Sequence, residues 1–361
     1  MYHRTSIGMD VHARSVSVCA IDAPSGEIKC RRFDYPGAGE LFDFLASFED
    51  VQCVYEAGPT GFDLCRTIRQ MGIPCVVCAP SKLPETKGDK VKTDKRDAIH
   101  LARFLMAGAV SEVHVPTLEE EGARDLAHAQ ECAREELTRL RMRINALLLK
   151  YGILYDEGAS KWTRDHRDWL AKVELSTPES RYVLAELIEA EKLATSRKER
   201  VEVAIWEATQ RSSKRRQIEN ISCLSGVGTV TAYCLTAIVC DWHLFTPRTI
   251  ASYLGLVPSE ESSGESRVQG KITKTGNGHA RKLLVEAAWH HSKDYRPDRK
   301  AKRLQAAFER VAPDVREAAE RANVRLLRRW RHFKVRNVRS VKVSVAISRE
   351  LACWCQVLAT M

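Results

Sequence analysis

The sequence predicts an α/β domain followed by two mainly helical regions, and three patterns indicate this. Short apolar strands alternate with amphipathic helices up to about residue 104. Long, highly charged helical patterns follow, and glycine-containing turns separate shorter helices in the last third. A length of 361 residues, about twice the usual size of one domain, allows two or three domains. The changes of pattern predict three, at 1–115, 116–216 and 217–361.

The first region has the pattern of a hairpin meander followed by strands that helices connect. Apolar runs predict the strands, Asp22–Gly26 has the composition of a turn, and Thr93 is a natural helix N-cap. The predicted elements, in order, are strands at Ser6–Val11, Ser15–Ile21 and Glu27–Tyr35, a helix at Gly39–Phe48, a strand at Val51–Glu56, a helix at Gly61–Met71, a strand at Pro74–Ala79 and a helix at Thr93–Phe104. This order predicts a mixed sheet.

Two long amphipathic helices are predicted in the middle region. Their apolar positions are Leu137, Leu140, Ile144 and Leu147 in the first and Leu184, Leu187 and Ile205 in the second. Residues 161–174 between them hold two tryptophans and form either a short helix or a loop. A coiled-coil arm for self-association and an ordinary helix pair within one domain are equally compatible with this pattern. Glu191 and Lys198 interrupt the second apolar stripe.

A Gly-x-Gly turn introduces the third region. Gly226 and Gly228 precede a predicted helix at Thr229–Val239, as in a helix-hairpin-helix, which directs backbone N–H groups at a phosphate. A turn needed only for close helix packing explains the same pattern equally well. Further elements are expected as a helix at Arg248–Leu256, a polar loop at Pro258–Gly278 and a basic helix at His279–Trp289.

The charge distribution indicates a polyanionic partner. The formal net charge is +10, and from Lys293 to Glu350 there are 18 Lys and Arg against 7 Asp and Glu. Arg328, Arg329 and Arg331 alternate with aromatic residues there, which suits phosphate contact and base stacking. A solvated basic surface is the alternative.

Cysteine usage and hydropathy indicate a cytoplasmic protein. The 12 cysteines lie mostly in apolar runs, and Cys75 and Cys78 form a C-x-x-C without a second pair at zinc-ribbon spacing. We therefore expect buried, reduced thiols. No apolar run reaches the length of a membrane span, and the start of the chain lacks the pattern of a secretory signal.

Four carboxylates are the strongest candidates for a catalytic site. Asp10 and Glu56 end predicted strands, and Asp94 and Asp97 share the first turn of a predicted helix. Converging acids repel one another unless a cation is bound, and Mg²⁺ or Mn²⁺ prefers oxygen ligands. Taken singly, each acid is also explained as a strand-end or first-turn residue. Together they predict a divalent metal site.

The motifs around these acids resemble a known family. They are Gly8-Met-Asp-Val-His12, Tyr55-Glu-Ala-Gly-Pro-Thr-Gly-Phe62 and Lys92-Thr-Asp-Lys-Arg-Asp-Ala98, followed by Leu224-Ser-Gly-Val-Gly228, Tyr253-Leu-Gly-Leu-Val-Pro258, Ser262-Ser-Gly264, Ile272-Thr-Lys-Thr-Gly-Asn277 and Arg281-Lys-Leu-Leu-Val-Glu-Ala287. They are similar to the DEDD transposases of the IS one-ten group and the Piv-type invertases. The resemblance covers about 1–110 and 217–292, the spans of the quoted motifs. It implies a RuvC-like domain of the ribonuclease H fold.

The resemblance also implies a transposase mechanism with a serine. A serine of the second domain attacks the DNA phosphate, and the matching position is Ser263, with Ser262 as the alternate. Lys271, Lys274 and Arg281 nearby are then candidates to stabilise the phosphoryl group. The carboxylate-bound metal would prepare the serine.

The partners that the resemblance implies are donor and target double-stranded DNA and a structured non-coding RNA that pairs with both. The basic tail and the middle helices are plausible RNA contacts. Family members are similar in assembling as dimers or tetramers. The implied location is the cytoplasm of a prokaryote, with nucleoid association during the reaction.

Two other functions remain open from the sequence. A RuvC-type endonuclease would use the same acids to activate water and would leave nicks. A non-catalytic nucleic-acid-binding protein would use only the helix-hairpin-helix and the basic tail. His12 and His100 lie close to the acids in sequence, and either could assist them, but surface histidines are expected. Asp89 is a weaker candidate than the four acids.

Overall fold

A computed structural model describes most of the chain and divides it into two compact units. The described residues are 3–35, 39–80, 83, 93–156, 158, 160–263, 266–292, 295–296, 298 and 300–361, with the backbone alone for 261–263 and 266–267. The units are Met1–Thr117 and Leu118–Met361. The further division at residue 216 stays a prediction.

A five-stranded mixed sheet forms the first unit, in the order β3-β2-β1-β4-β5. Strand β1 is antiparallel to β2, which is antiparallel to β3, whereas β4 runs parallel to β1 and to β5. The elements are β1 Thr5–Val11, β2 Ser15–Asp22, β3 Ile28–Asp34, α1 Gly39–Ala46, β4 Val51–Glu56, α2 Asp63–Gln70, β5 Cys75–Cys78 and α3 Asp94–Met106. The predicted mixed sheet is confirmed, while its RuvC-like ribonuclease H assignment stays a prediction.

The two faces of this sheet carry different cores. Ile7 of β1 packs with residues of α1 and α2, whereas Val54 of β4 packs with Leu101 of α3. Successive residues of a strand point to opposite faces, so the even-numbered residues of β1 and β4 lie on the α3 side. Asp10 and Glu56 therefore belong to the face that α3 covers.

Strand β1 and helix α3 approach each other closely at Gly8. A Cβ atom at this position would lie 2.0 Å from the carbonyl oxygen of Ala98 and 2.5 Å from the backbone nitrogen of Ala102. Because these are backbone atoms, they cannot rotate away, and only glycine allows the approach. The contact holds the first half of α3 against β1.

The prediction that the cysteines are all reduced thiols is wrong for one pair. Cys19 of β2 lies directly opposite Cys30 of β3, with their Cα atoms 4.2 Å apart, and the two form a disulfide. Strand pairing rather than sequence spacing brings them together. The other ten cysteines are free and mostly buried, and burial raises the pKa of Cys78 to about 11.

The first part of the second unit contains a long antiparallel helix pair. For residues 161–174 the sequence allowed either a short helix or a loop, and the structure has a short helix there. Arg197 donates to Glu136 at 2.6 Å, and Ser212 donates to Glu119 at 3.1 Å, which fixes the antiparallel register. The helices are α4 Leu118–Lys150, α5 Arg164–Leu170 and α6 Pro178–Arg211. Self-association through this pair stays a prediction.

Glu191, which interrupts the apolar stripe in the sequence, is a buried residue that contacts neighbouring helices in the structure. It is buried, and its carboxylate accepts hydrogen bonds from Arg141 at 2.9 Å and from Arg167 at 2.6 and 3.0 Å. Although burial opposes ionisation, these hydrogen bonds hold the pKa of Glu191 below its ordinary value. The residue that interrupts the apolar stripe therefore joins α4, α5 and α6.

The remainder of the second unit is mainly helical, as predicted. Across the described residues, no helix is long and apolar enough to cross a membrane. The elements are α7 Arg215–Ile221, α8 Thr229–Val239, α9 Thr249–Tyr253, β6 Pro258–Ser263, β7 Ser266–Ile272, α10 Gly278–Trp289, α11 Lys302–Glu309, α12 Pro313–Val335 and α13 Ser340–Ala359.

The polar segment after α9 is a β-hairpin, so the predicted loop at Pro258–Gly278 is wrong over most of its length. Strands β6 and β7 pair antiparallel, with Ser262 opposite Arg267 and Ser263 opposite Ser266. Only residues 264–265 separate the strands, and a two-residue connection favours a hairpin. The strands were missed because their side chains are mostly polar, and the few apolar ones do not alternate regularly with them.

We expect the second unit to lose stability as the pH falls from 6.5 to about 4. Burial and the neighbouring charge of His290 lower the pKa of His291 from 6.5 to about 4. Between these values the unfolded chain binds a proton that the folded chain does not. Lowering the pH through this range therefore lowers the free energy of unfolding, by up to about 3 kcal/mol. All 7 tryptophans follow residue 117, so urea unfolding monitored by tryptophan fluorescence reports this unit.

Comparison of two variants isolates this contribution. His291→Gln should reduce the dependence of the unfolding free energy on pH between about 6.5 and 4, because one depressed pKa is removed, while His166 and His279, whose pKa values are also lowered, keep their contributions. His243→Gln, which replaces an exposed histidine, should retain the wild-type dependence. Equal pH dependence in wild type and His291→Gln would contradict the assignment.

Candidate active site

Two parallel strands place Asp10 and Glu56 side by side. Asp10 lies near the end of β1 and Glu56 is the last residue of β4. The register pairs Met9 with Tyr55, so the next residues of the two strands are Asp10 and Glu56. Both line one cavity of about 710 Å³, together with His12 and the backbone segment that follows β4. The carboxyl ends of these strands therefore form one edge of the site, as expected from the sequence.

Helix α3 brings the other two acids. Its N-cap is Thr93, whose hydroxyl accepts a hydrogen bond from the backbone N–H of Arg96 at 3.4 Å. Asp94 and Asp97 stand in the first turn, where the helix dipole favours negative charge. Because α3 packs on β1 through Gly8, this turn lies beside Asp10. The predicted convergence rests on that packing.

His12 connects the strand acids to the helix acids. Its Nε2 lies 3.2 Å from Oδ2 of Asp10 and 3.8 Å from Oδ1 of Asp94. Nη1 of Arg32 lies 3.7 Å from the other oxygen of Asp94, while its Nη2 donates to Ser15 at 2.9 Å. The acids therefore do have nearby bases, unlike the uncompensated cluster that the sequence suggested.

The electrostatics of the site follow from burial and like charge. Burial is the largest influence on Asp10 and raises its pKa above 3.8. The charges of Asp94 and Asp97 raise it further, whereas the charge and hydrogen bond of His12 lower it. A carboxyl group with a raised pKa among like charges gains stabilisation when a cation binds beside it.

The donor set fits a divalent cation. One oxygen each of Asp10 and Asp94 and one ring nitrogen of His12 all lie within 4.8 Å of one another. Asp97 acts on Asp10 electrostatically, and Glu56 lines the same cavity as Asp10. The four carboxylates are the residues that would hold such a cation, because divalent cations of this kind prefer oxygen ligands.

Two side chains of this site were missed or underrated in the sequence. His12 was expected to be a surface histidine, and 56% of its side chain is exposed, yet it touches two of the four acids. Its position two residues after Asp10 was the available signal, because the alternation of β1, continued one residue past the strand, puts His12 on the same face as Asp10. Arg32 lies on β3 and had no local signal. Asp89 lies outside the described residues.

The structure describes the backbone of the two candidate serines but not their side chains. Ser262 and Ser263 form the last two residues of β6, beside the connection to β7. Their side chains lie outside what the structure describes. The choice between them stays a prediction.

The residues near the serines divide into exposed cations and one structural arginine. Lys271 and Lys274 are exposed. Arg281 instead donates from Nη1 to the carbonyl oxygens of Leu254 and Gly276, each at 3.2 Å, and also to that of Thr275. Arg281 therefore holds the turn before α10, and contact with a phosphoryl group stays a prediction for all three cations.

The Gly-x-Gly turn combines close packing with an arginine-lined cavity. Gly226 has a φ of 83°, and a Cβ atom there would lie 2.4 Å from the carbonyl oxygen of Ala287. Gly228 is the N-cap of α8 and lies against the guanidinium of Arg303. Both glycines line a cavity of about 530 Å³ that also contains Arg310. Phosphate binding by this turn stays a prediction.

Helix α12 presents the basic residues that the charge count singled out. Arg328 and Arg329 line a groove of about 690 Å³, together with Arg321, Arg325 and His332. Arg325 and Arg329 are both paired with Glu350 of α13. Arg328 and Arg331 are exposed on the same helix. Nucleic-acid binding by these arginines stays a prediction.

Comparison with known families matches both parts of the chain. Residues 7–153 match the DEDD model of IS110 transposases, described as "Transposase". Residues 218–305 match the model described as "Transposase IS116/IS110/IS902 family". The first match contains the four carboxylates, and the second contains both serines.

Individual transposases align along nearly the whole chain. A Sinorhizobium fredii protein named as a transposase, y4qE, is 37% identical over 363 residues, covering 97% of this chain and 87% of the relative. The transposase for insertion sequence element IS1533 of Leptospira borgpetersenii is 25% identical, covering 95% of this chain and 100% of the relative. The transposase for IS1111A of Coxiella burnetii is 27% identical, with coverages of 84% and 83%. This chain therefore belongs to the IS110 family of insertion-sequence transposases.

Proposed function

We propose that this transposase exchanges DNA strands with two sets of residues: carboxylates of the first unit, which hold a divalent metal, and a serine of the second unit, which attacks the DNA phosphate. The observation that carries the proposal is the convergence of Asp10, Glu56 and the first turn of α3 on one edge of the sheet. Members of the family usually depend on a divalent metal, and oxygen-rich donors suit Mg²⁺ or Mn²⁺.

The carboxylates have two tasks in this proposal. Asp10 and Asp94 supply oxygen ligands, while Glu56 and Asp97 complete the negative field that retains a divalent cation beside the DNA phosphate. When bound, the metal neutralises charge on the phosphate and favours ionisation of an attacking hydroxyl. The same acids without a serine would suit water as the nucleophile.

Serine attack replaces one phosphoester bond by another. Oγ of Ser263, or of Ser262, forms a bond to phosphorus, its proton passes to a base, and the bond from phosphorus to one deoxyribose oxygen breaks. The leaving oxygen takes up a proton. The covalent link conserves the energy of the broken bond, so strands can be rejoined without a high-energy cofactor. The serine can belong to the same chain or to a neighbouring copy in a dimer or tetramer.

RNA guidance is part of the same proposal. The groove on α12 and the cavity at the Gly-x-Gly turn both carry arginines, which suit contact with nucleic-acid backbones. Contacts with the backbone do not depend on the base sequence. In this proposal the DNA sites are therefore selected by base pairing with the RNA. Lys271 lies on β7 and Lys274 follows it, and in this proposal both contact the DNA near the reacting phosphate.

The decisive experiment is a search for a covalent protein–DNA adduct. The full chain is incubated with the element's DNA, its non-coding RNA and Mg²⁺, and the adduct is digested and mapped by mass spectrometry. We expect a phosphoserine linkage at Ser263 that Ser263→Ala abolishes. Thr246→Ala, which removes an exposed hydroxyl of the same unit, is the control and should leave the adduct unchanged.

The outcomes separate the candidate mechanisms. A link at Ser262 with loss in Ser262→Ala would keep the mechanism and exchange the residue. Nicked DNA without an adduct, unaffected by either serine substitution, would refute serine attack in favour of a water nucleophile. If the adduct forms without the RNA, guidance by RNA is refuted, but the serine mechanism is not.

A further inference from the structure

A histidine stands among the acids of the candidate metal centre without any role in the proposed function. His12 lies just beyond β1, and its backbone N–H donates to the carbonyl oxygen of Ser15 at 2.9 Å, which anchors the turn between β1 and β2. Its ring is partly exposed to solvent, and its Nε2 faces Asp10 and Asp94.

We propose that His12 is a protein ligand of the same divalent metal as Asp10 and Asp94, and that its nitrogen gives the centre a preference for Mn²⁺ over Mg²⁺. The inference rests on the proposed function, because it concerns the metal that the carboxylates hold. It adds an imidazole nitrogen to the oxygen donors of Asp10 and Asp94. It also gives the centre a stronger preference between Mn²⁺ and Mg²⁺ than four carboxylates alone would have.

The distances between donor atoms support a shared ion. Ligand atoms about 2.1 Å from one cation are about 3.0 Å apart at a right angle and about 3.4 Å apart in a tetrahedral arrangement. Nε2 of His12 is 3.2 Å from Oδ2 of Asp10 and 3.8 Å from Oδ1 of Asp94. Both separations suit neighbouring ligands of one ion with only small side-chain adjustment.

The surroundings leave the relevant atoms available to a common ion. Arg32 approaches Oδ2 of Asp94, the oxygen that does not face His12. The ring of His12 lines the cavity at the carboxyl ends of β1 and β4, so an ion from solvent can reach its nitrogen. More than half of the His12 side chain and 42% of the Asp94 side chain are exposed.

The choice of metal follows from ligand chemistry. Mg²⁺ is a hard cation that binds oxygen and keeps its waters, whereas first-row transition ions accept imidazole nitrogen as well as carboxylate oxygen. A site with one imidazole and two carboxylates therefore favours Mn²⁺ relative to Mg²⁺. A site made of carboxylates alone would distinguish the two ions less.

A different role for His12 would leave the metal preference unchanged. Its ring could simply donate a hydrogen bond to Asp10 and orient that carboxylate, as His3 does with Asp50 at 2.7 Å elsewhere in the unit. An asparagine at position 12 retains a donor but has no imidazole nitrogen. His12→Asn therefore separates coordination from orientation.

The experiment measures metal binding without DNA. The metal-free full chain is titrated with Mn²⁺, binding is followed by electron paramagnetic resonance, and Mg²⁺ affinity is obtained by competition. Pulsed measurements detect nitrogen modulation from an imidazole bound directly to Mn²⁺. The proteins compared are wild type, His12→Ala, His12→Asn, Asp10→Asn and the matched control His3→Ala, which breaks the other histidine–aspartate pair.

We expect nitrogen modulation in wild type and in His3→Ala, and its loss in both His12 variants. Both His12 variants should weaken Mn²⁺ binding by about tenfold or more, while Mg²⁺ binding changes by about threefold or less, since Mg²⁺ depends mainly on the oxygens. Asp10→Asn should weaken binding of both ions.

Failure of the inference differs from failure of the proposed function. If wild type binds Mn²⁺ without nitrogen modulation, or if His12→Asn keeps the wild-type ratio of Mn²⁺ to Mg²⁺ affinity, His12 is not a ligand and only the inference falls. If Asp10→Asn binds both ions as wild type does, the carboxylate site itself is wrong. Modulation that survives in both His12 variants would assign the nitrogen to another histidine.

Discussion

Replacing Asp10 by asparagine is expected to lower the rate of DNA strand cleavage on the order of a thousandfold, equivalent to about 4 kcal/mol of activation free energy. Asp10 is the partly buried acid on which the charges of Asp94 and Asp97 act and which His12 contacts. Removal of its charge weakens the field that holds a divalent cation. The measurement is a single-turnover cleavage assay with the element's DNA and RNA.

The same substitution should not destabilise the first unit. Because burial and like charge raise the pKa of Asp10 above 3.8, its ionised form costs folding free energy at neutral pH, and a neutral side chain relieves this cost. Stability should therefore remain equal or rise while activity falls. Asp43→Asn, at an exposed position on α1, is the control and should change neither property. Wild-type cleavage by Asp10→Asn would remove Asp10 from the active site.

Replacing Gly8 by alanine should destabilise the first unit by about 2–4 kcal/mol and abolish metal binding with it. The added methyl group would lie 2.0 Å from the carbonyl oxygen of Ala98, so α3 must move away from β1. Asp94 and Asp97 move with α3, since both belong to its first turn. Hydrogen exchange of peptides from β1 and α3 measures the loss of protection.

Gly39→Ala provides the matched control for this prediction. Gly39 begins α1, and a methyl group added there would meet no neighbouring side chain or backbone within 4 Å among the described residues. We expect its effect on stability to stay within about 0.5 kcal/mol, as for surface substitutions. Wild-type protection and metal affinity in Gly8→Ala would show that α3 does not depend on this contact.

Local patterns in the sequence were sufficient for most elements of the first unit. Apolar runs and the N-cap at Thr93 predict β1, β4 and α3 close to their observed bounds, because these signals depend on neighbouring residues. The apolar runs also place Asp10 and Glu56 near the ends of their strands. The polar hairpin of β6 and β7 was missed because hydrophobic alternation, the main local signal for strands, is absent there.

Non-local packing decided the rest. The sequence by itself determined the order of strands and helices in the first unit and the positions of the four acids within them, since periodicity and capping act over a few residues. Only the tertiary structure decided that β1 lies next to β4 and that α3 rests on Gly8, and with them the meeting of Asp94 and His12. Contacts between residues far apart in the chain depend on how whole elements pack, which no local pattern encodes.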